Sequence, residues 1–387
     1  MSSNEVIYLD HNATTPVDPR VTERMRPYFT ERFANPASPH GPGRQAKAAV
    51  DAARRQAAAL IGAQLGEIVW TSGATESNNL AIKGVCEAYR ERGDHIVTCR
   101  TEHRAVLDVC DHLATRGWRV TQLDTDEVGR IAPAQVAEAV TDRTVLVTLM
   151  AANNEIGTLH PLAEIGRICK DRGVLLHTDA AQAAGKVPLD VEAIGADLVS
   201  ISAHKMYGPK GVGALYVRRR RPRVRPAAQM HGGGHEGGLR SGTLNVPGIV
   251  GLGAAAEIAA DEMDAEGERL AKLRDRLYEG VARRLDGIRR NGDPTASLPN
   301  TLNLSFADVE SEALILRMGN VAVSSASACS GASDRPSHVL RAIGTPPQWI
   351  NGALRFSVGR FTTTEQIDRV VDKLVFAVGE LRELSAF

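Results

Sequence analysis

The chain has 387 residues, of which 43% are apolar and 24% are charged, and its formal net charge is zero. This length and apolar content predict a large buried core that is divided into more than one domain. The balanced charge argues against direct nucleic-acid binding, and we interpret the basic run RRRRPRVR at 218–225 as a solvated loop.

The segment VIYLDHNATT near the N-terminus predicts a short strand followed by a loop. The first residues, MSSNEVIYLD, contain neither the basic segment nor the apolar core of a secretory signal. No apolar run approaches the ~20 residues that span a bilayer. We therefore expect a soluble, cytoplasmic protein without a membrane partner.

From about residue 43 to residue 217, helix and strand patterns alternate. Apolar and alanine residues recur at helical spacing over 44–61, 76–92, 103–116 and 161–172. Short apolar runs predict strands at 67–70, 95–99, 144–150, 174–179, 197–202 and 213–217. This alternation predicts an α/β fold with a mostly parallel sheet that helices cover on both faces.

A long helical pattern over about 246–285 leads into a second region. There, strands alternate with helices, and the strands are predicted at 301–306, 321–325 and 353–358. This region reads as a smaller α+β domain. We expect a large domain over 15–260 and a small domain made of 1–14 and 261–387.

The segment Ser-Gly-Ala-Thr at 72–75 joins a predicted strand to a helix expected from Glu76. Free backbone N–H groups at a helix N-terminus suit a phosphate, and small residues let an anion approach closely. The Thr75 hydroxyl adds a donor. From this segment alone an ordinary capped turn is about equally expected, and neither common glycine-rich nucleotide motif is matched.

Two predicted strands lead to groups that suit one cofactor. One strand ends in Asp179, which could also be a helix cap, and another is followed by Lys205. Because ligands of parallel sheets bind at the carboxyl ends of strands, these groups and 72–75 belong together. Lys205 can form a Schiff base, Asp179 can hold a protonated ring nitrogen, and 72–75 can bind a phosphate. Pyridoxal phosphate requires all three, and Ser202 and His204 could add phosphate donors.

His103 and Asn154 also follow predicted strands. Such residues are more often caps or turn residues than catalysts. At the same sheet edge, however, His103 could stack on a planar ring and transfer protons, and Asn154 could bind a carboxylate or a ring oxygen.

The cysteines contain no C-x-x-C pair, and they are Cys86, Cys99, Cys110, Cys169 and Cys329. This usage fits a reducing compartment and argues against a disulfide framework and against a zinc site. Bulky apolar residues flank Cys86, Cys110 and Cys169, whereas Cys329 lies on a loop of serine, alanine and glycine. A thiol on such a loop is accessible, as a nucleophile needs to be, although it could also be passive.

The chain resembles the pyridoxal-phosphate-dependent cysteine desulfurases of the NifS/IscS-like type, in the class V aminotransferase family. The resemblance covers nearly the whole chain, and its segments include YLDHNATTPVDP, TSGATESNNLAIKG, TEHRAVLD, NNEIG, HTDAAQAAGKVPLD, SAHKMYGPKGVGALYVRR, RSGT, LPNTLNLSF, VSSASACSGAS and LRFSVGRFTT. It implies the fold-type I architecture, with a mostly parallel seven-stranded sheet in the large domain and a smaller α+β domain. It also implies pyridoxal 5'-phosphate as the cofactor.

Residue by residue, the resemblance implies that Lys205 carries the cofactor, Asp179 holds its ring nitrogen and Gln182 contacts its phenolic oxygen. His103 matches the residue that stacks on the ring and acts in catalysis. The residues that match phosphate ligands or line the phosphate are Ala74, Thr75, Ser202, His204 and, from the other subunit of an obligate homodimer, Thr243.

The resemblance further implies that Asn154 and Arg355 hold the carboxylate of L-cysteine, with Asn154 also contacting the cofactor. Cys329 matches the nucleophile that receives the sulfur as a persulfide while alanine is released. An acceptor then takes the sulfur, in iron–sulfur cluster assembly, tRNA thiolation or DNA phosphorothioation.

The loop SSASACS departs from the family pattern, since Ala326 replaces a glycine and Ser330 a threonine. The segment GTPPQWING at 344–352 is also unusual. Two alternatives stay open: a selenocysteine lyase or other pyridoxal-phosphate-dependent lyase or aminotransferase on the same fold, and a non-enzymatic protein that delivers sulfur or binds nucleic acid. Cys329 argues against an aminotransferase, which has no need of a thiol.

Overall fold

The structure is a computed structural model that describes residues 5–220, 222–325 and 336–385. The β-strands in these ranges are β1 (Ile7–Tyr8), β2 (Ile68–Thr71), β3 (His95–Cys99), β4 (Arg119–Leu123), β5 (Thr144–Thr148), β6 (Leu175–Asp179), β7 (Leu198–Ser202), β8 (Gly213–Val217), β9 (Ile288–Asn291), β10 (Thr301–Phe306), β11 (Val321–Ala322), β12 (Ser324–Ser325) and β13 (Ala353–Ser357). The α-helices are α1 (Pro19–Met25), α2 (Pro27–Thr30), α3 (Gly41–Leu60), α4 (Ala74–Ala88), α5 (Arg104–Ala114), α6 (Pro133–Ala139), α7 (Leu162–Asp171), α8 (Val191–Ile194), α9 (Val246–Ala282), α10 (Ser311–Met318), α11 (His338–Ala342), α12 (Pro347–Asn351) and α13 (Thr364–Ser385). None of these helices is long and apolar enough to cross a membrane.

A seven-stranded sheet forms the centre of the fold, in the order β2-β8-β7-β6-β5-β3-β4. Its strands run in one direction except β8, which is antiparallel to both neighbours. The prediction of a mostly parallel sheet is therefore confirmed, and all six strands predicted from apolar runs are present. The seventh, β4, was missed because its polar sequence RVTQL suits only an edge strand with partly exposed residues.

A second sheet of four antiparallel strands has the order β12-β13-β10-β9. Phe306 and Phe356 are almost fully buried in its core, together with apolar residues of α13. The strand predicted over 321–325 is wrong as one element: β11 pairs in parallel with β1, and β12 pairs with β13. The chain changes sheets at Val323, which periodicity within the segment cannot reveal.

Helix α9 connects the two cores and ends three residues before the predicted end at 285. Its apolar residues up to Ala259 pack in the core around the large sheet, and those from Leu270 onward pack around the small sheet. The domain bounds at 14 and 260 stay a prediction.

The basic run 218–225 is only partly a solvated loop, because Arg218 is 8% exposed. Its guanidinium donates to the Ala196 carbonyl at 2.7 Å and lies 3.5 Å from the Asp197 carboxylate. Arg218 thus ties the end of β8 to the strand β7 beside it, while Arg221 lies outside the described residues.

Candidate active site

A cavity of about 750 Å³ lies where the carboxyl ends of β5, β6 and β7 meet the N-terminal loop 10–14 and strand β13. Ten of the predicted site residues line it, and they are Ala74, Thr75, His103, Asn154, Asp179, Gln182, Ser202, His204, Lys205 and Arg355. These residues come from six separate segments of the chain. The parallel sheet brings most of them together because its strands end at one edge, and strand β13 of the second sheet contributes Arg355.

The N-terminus of α4 forms one end of the cavity. The helix begins at Ala74 rather than at the predicted Glu76, and its N-cap residue Gly73 has a φ of +154°, which glycine adopts more readily than other residues. A Cβ atom on Gly213 would lie 2.6 Å from the Gly73 Cα, so the β8 backbone supports this turn closely. The first-turn N–H groups of a helix have no partners within the helix, which suits an anion at this end.

Two lysines, Lys205 and Lys210, line the cavity, as does Glu76 in the first turn of α4. His204 accepts or donates a hydrogen bond with the Thr14 hydroxyl at 3.1 Å. Burial, together with repulsion by Lys205, Lys210 and Lys186, lowers the pKa of His204 to about 4. A bound anion would relieve this repulsion, as a phosphate group does.

Lys205 lies in the single turn of 3-10 helix that follows β7. Its ammonium donates to the Asn12 carbonyl and, at 2.8 Å, to the Ala13 carbonyl. These contacts hold the amine at the cavity, between the α4 end and Asp179.

The Asp179 carboxylate lies at the end of β6 and is 6% exposed. Its Oδ1 accepts from the Ala181 N–H at 2.9 Å, and its Oδ2 accepts from the Asn78 amide at 2.7 Å. The hydrogen bond from the Ala181 N–H corresponds to the capping role that was the alternative interpretation of Asp179. Because Asn78 also holds the Asp179 carboxylate, the orientation of this charged group is fixed, as the binding of a ring N–H group requires.

At the opposite end Arg355 on β13 is 2% exposed. Its Nη2 donates to Asp10 Oδ1 at 2.8 Å and to the Ser324 hydroxyl at 3.1 Å. Its Nη1 donates to the Asn154 backbone carbonyl at 3.0 Å. The guanidinium is therefore held in place beside Asn154, and Asp10 balances its charge.

His103 lies at the mouth of the cavity, where its side chain is exposed. It is the N-cap of α5, and its Nδ1 accepts from the Ala105 N–H at 3.1 Å. Two predicted residues are not placed in the cavity: Thr243 is exposed and does not line it, and Cys329 lies outside the described residues.

Sequence reasoning missed several residues of the cavity, namely Asp10, Asn12, Thr14, Asn78, Lys210 and Ser324. The first three belong to the motif YLDHNATT, which predicted only a strand and loop. The signal for them is the density of polar residues directly after an apolar strand, since such residues gather at sheet edges in α/β folds.

The four cysteines among the described residues are all buried, namely Cys86, Cys99, Cys110 and Cys169. Burial raises the pKa of all four thiols, to about 12 for Cys110 and Cys169. A nucleophilic thiol must ionise near neutral pH, so none of the four suits that role. Within the described ranges, no group of three or more histidine, cysteine or acidic side chains could hold a metal ion.

Glu102, beside His103, is fully buried and its Oε1 accepts from the Met150 N–H at 2.6 Å. Burial raises the pKa of this carboxyl from 4.5 to about 8, and repulsion by Asp179 contributes. Since the folded protein holds a proton that the unfolded chain has lost, this contribution to stability is complete below about pH 4.5 and disappears as the pH rises to about 8.

We therefore expect Glu102→Gln, which stays neutral, to gain ~1–3 kcal/mol of unfolding free energy over the wild type when the pH rises from about 5 to about 8.5. Urea denaturation of both proteins at each pH measures this difference. Glu127→Gln at an exposed position is the control. A difference between Glu102→Gln and wild type that is independent of pH would show that the buried carboxyl ionises normally.

The Aminotransferase class-V family model matches residues 7–370. The cysteine desulfurase IscS of Anaeromyxobacter dehalogenans (strain 2CP-C) is 55% identical over 380 residues, which cover 98% of this chain and 94% of that protein. A solved NifS-like protein has a TM-score of 0.90 at 37% identity and covers 97% of this chain and 100% of its own.

A further solved structure, DndA from Streptomyces lividans, has a TM-score of 0.78 at 41% identity, and the alignment covers 90% of this chain and 99% of that one. These similarities extend over nearly the full length, and the cavity contains the groups that the sequence motifs predicted. The chain therefore belongs to the class-V aminotransferase family, and within it to the NifS/IscS-like pyridoxal-phosphate-dependent cysteine desulfurases.

Proposed function

We propose that the protein converts L-cysteine to L-alanine and passes the sulfur, as a persulfide on Cys329, to an acceptor. The observation that carries the proposal is a single cavity that combines the Lys205 amine, the buried Asp179 carboxylate and the N–H groups at the N-terminus of helix α4. These are the three groups that pyridoxal phosphate needs. The relative IscS bears the name of this activity.

The residues present fit the cofactor. Lys205 would bind it covalently, Asp179 would pair with its ring nitrogen, and His103 at the cavity mouth would cover its ring. Thr75, Ser202 and His204 would bind its phosphate, as would the N–H groups of Ala74 and Thr75. When bound, the cofactor supplies an electron-withdrawing ring that accepts the electron pair released at the substrate α-carbon.

Arg355 and Asn154 hold the substrate carboxylate in this proposal. A guanidinium that is already oriented by Asp10 and Ser324 binds a carboxylate with little loss of conformational freedom. The Lys205 amine and the His103 imidazole would move the protons at the α-carbon and at the departing sulfur.

In the sulfur step, the Cys329 thiolate attacks the substrate sulfur and forms an S–S bond. The carbon–sulfur bond breaks, its electron pair stays on the substrate carbon, and protonation there leads to alanine. The sulfur thus remains on the enzyme as a persulfide for an acceptor. The raised thiol pKa values of the other four cysteines support Cys329 in this role.

We also propose that the protein is a cytoplasmic homodimer that delivers sulfur to an acceptor protein, such as an iron–sulfur scaffold. Thr243 is exposed and does not line the cavity of its own subunit, which supports a role in the cavity of a second subunit. Iron–sulfur cluster assembly, tRNA thiolation and DNA phosphorothioation all use the same persulfide chemistry.

The direct test is to supply L-cysteine and a thiol reductant to the holoenzyme and to quantify alanine, sulfide and keto acid. Equal amounts of alanine and sulfide are the expected result. Keto acid without alanine would assign an aminotransferase, and turnover of selenocysteine alone would assign a selenocysteine lyase.

Arg355→Lys should raise the KM for L-cysteine by about tenfold or more and lower kcat less, because lysine keeps the charge but loses the two-point grip on a carboxylate. Steady-state kinetics measure both constants. Arg276→Lys, on the exposed surface, is the matched control. An unchanged KM in Arg355→Lys would mean that another group binds the carboxylate.

A further inference from the structure

Lys186 lies in the turn that follows β6. It is partly buried, and it lines a small pocket together with Lys205. The turn begins in a helical manner, since the Ala184 N–H donates to the Ala180 carbonyl at 2.9 Å. Residues four apart in such a turn face the same side, so the Lys186 and Gln182 side chains meet. The Lys186 ammonium donates to Gln182 Oε1 at 2.9 Å.

The other end of the Gln182 amide also has a defined partner. Its Nε2 donates to the Asn12 carbonyl at 2.9 Å. A carbonyl can only accept and an ammonium can only donate. With Lys186 at one end and Asn12 at the other, only one of the two amide orientations makes both hydrogen bonds.

Asn12 is itself firmly held, since it is 1% exposed. Its amide donates to the Thr301 hydroxyl at 2.8 Å, and its Oδ1 accepts from the Asn300 amide at 3.0 Å. The Asn12 carbonyl also accepts from the Lys205 ammonium. A continuous series of hydrogen bonds therefore joins Lys186, Gln182, Asn12 and Lys205.

We propose that Lys186 is a positioning residue that fixes the Gln182 amide with its N–H group, rather than its oxygen, toward the cofactor. This inference rests on the proposed function, in which Gln182 contacts the phenolic oxygen of pyridoxal phosphate. An ionised phenolic oxygen requires a donor, and a rotated amide would bring its own oxygen against it. Removal of Lys186 leaves Gln182 Oε1 without this donor and frees the amide to rotate.

The charges around Lys186 agree with this role. Burial, together with repulsion by Lys205 and Arg355, lowers the pKa of Lys186 to about 7, and Glu266 opposes this shift. The charged amine can only donate and therefore accepts nothing from a rotated amide. A neutral amine could also accept, and in that state the Asn12 carbonyl alone selects the amide orientation. Gly185, which precedes Lys186, has a φ of +73°, and glycine adopts this conformation more readily than other residues.

The test uses the holoenzyme and follows the absorbance of the bound cofactor as a function of pH. A hydrogen bond to the phenolic oxygen of the cofactor lowers the pKa at which this absorbance changes, because it draws electron density away from the neighbouring nitrogen. We expect Lys186→Met to raise that pKa by about half a unit or more. Lys186→Arg, which can still donate to Gln182, should restore most of the original value.

A double-mutant cycle decides whether Lys186 acts through Gln182. Gln182→Ala alone should shift the transition in the same direction as Lys186→Met, and adding Lys186→Met to Gln182→Ala should cause little further shift. An equal shift of Lys186→Met in both backgrounds would overturn the proposal, since Lys186 would then act directly by its charge.

Lys272→Met at an exposed site controls for loss of a lysine charge, and the circular dichroism of each variant reports folding. An absorbance transition that Lys186→Met leaves unchanged would also contradict the role. Failure of this inference is distinguishable from failure of the proposed function, because the wild type would still release alanine from L-cysteine.

Discussion

Lys205→Ala loses both the cofactor absorbance and, by more than about a thousandfold, the turnover of L-cysteine. The Lys205 ammonium lies at the cavity that Asp179 also lines, and the Asn12 and Ala13 carbonyls hold it there. Alanine offers no nitrogen to bind the cofactor covalently and no base for the α-proton. One absorbance spectrum and one alanine assay measure the two effects.

Lys205→Arg is the informative companion variant, because arginine keeps a positive charge beside the phosphate site but does not form the covalent bond. We expect it to retain noncovalent cofactor affinity while still lacking turnover. Lys272→Ala serves as the surface control. Substantial turnover in Lys205→Ala would mean that a different amine, with Lys186 and Lys210 as the nearest choices, carries the cofactor.

Cys329→Ala keeps the cofactor absorbance but loses alanine and sulfide production by about a hundredfold or more. The reason is the shortage of other nucleophiles: the thiols of Cys86, Cys99, Cys110 and Cys169 are buried, with raised pKa values. The experiment compares wild type and variant for product formation and, by mass spectrometry after L-cysteine treatment, for the added sulfur atom.

Cys169→Ala, in helix α7, is the matched control and should keep its activity. Normal turnover in Cys329→Ala would refute the persulfide step and favour direct elimination of sulfur. The two large predictions are separable, because the Lys205 variant loses the cofactor signal and the Cys329 variant does not.

Local patterns predicted most of the architecture. Strands β5, β6 and β7 are apolar throughout, because helices cover both faces, and such runs are readable without knowledge of their neighbours. Strands β4 and β9, with the sequences RVTQL and IRRN, were missed because partial exposure at a sheet edge permits polar residues. Their strand structure depends on pairing with β3 and β10, which lie elsewhere in the chain.

The same contrast holds for the site. Lys205, Asp179 and the segment 72–75 were predictable because each directly follows an apolar strand, and parallel strands end at one edge. The sequence by itself therefore determined six of the seven strands of the large sheet, the cofactor class and the residues at the strand ends.

Only the tertiary structure decided how these groups are held. Asp10 orients Arg355, Asn78 orients Asp179, and Lys186 meets Gln182, which in turn meets Asn12. Two of these three orienting residues lie more than 100 positions from the group they hold, and no local pattern encodes which loop will cover a given strand end. The physical reason is that hydrogen bonds such as those of Asp10 and Asn78 join segments that are far apart in the chain and meet only in the packed fold.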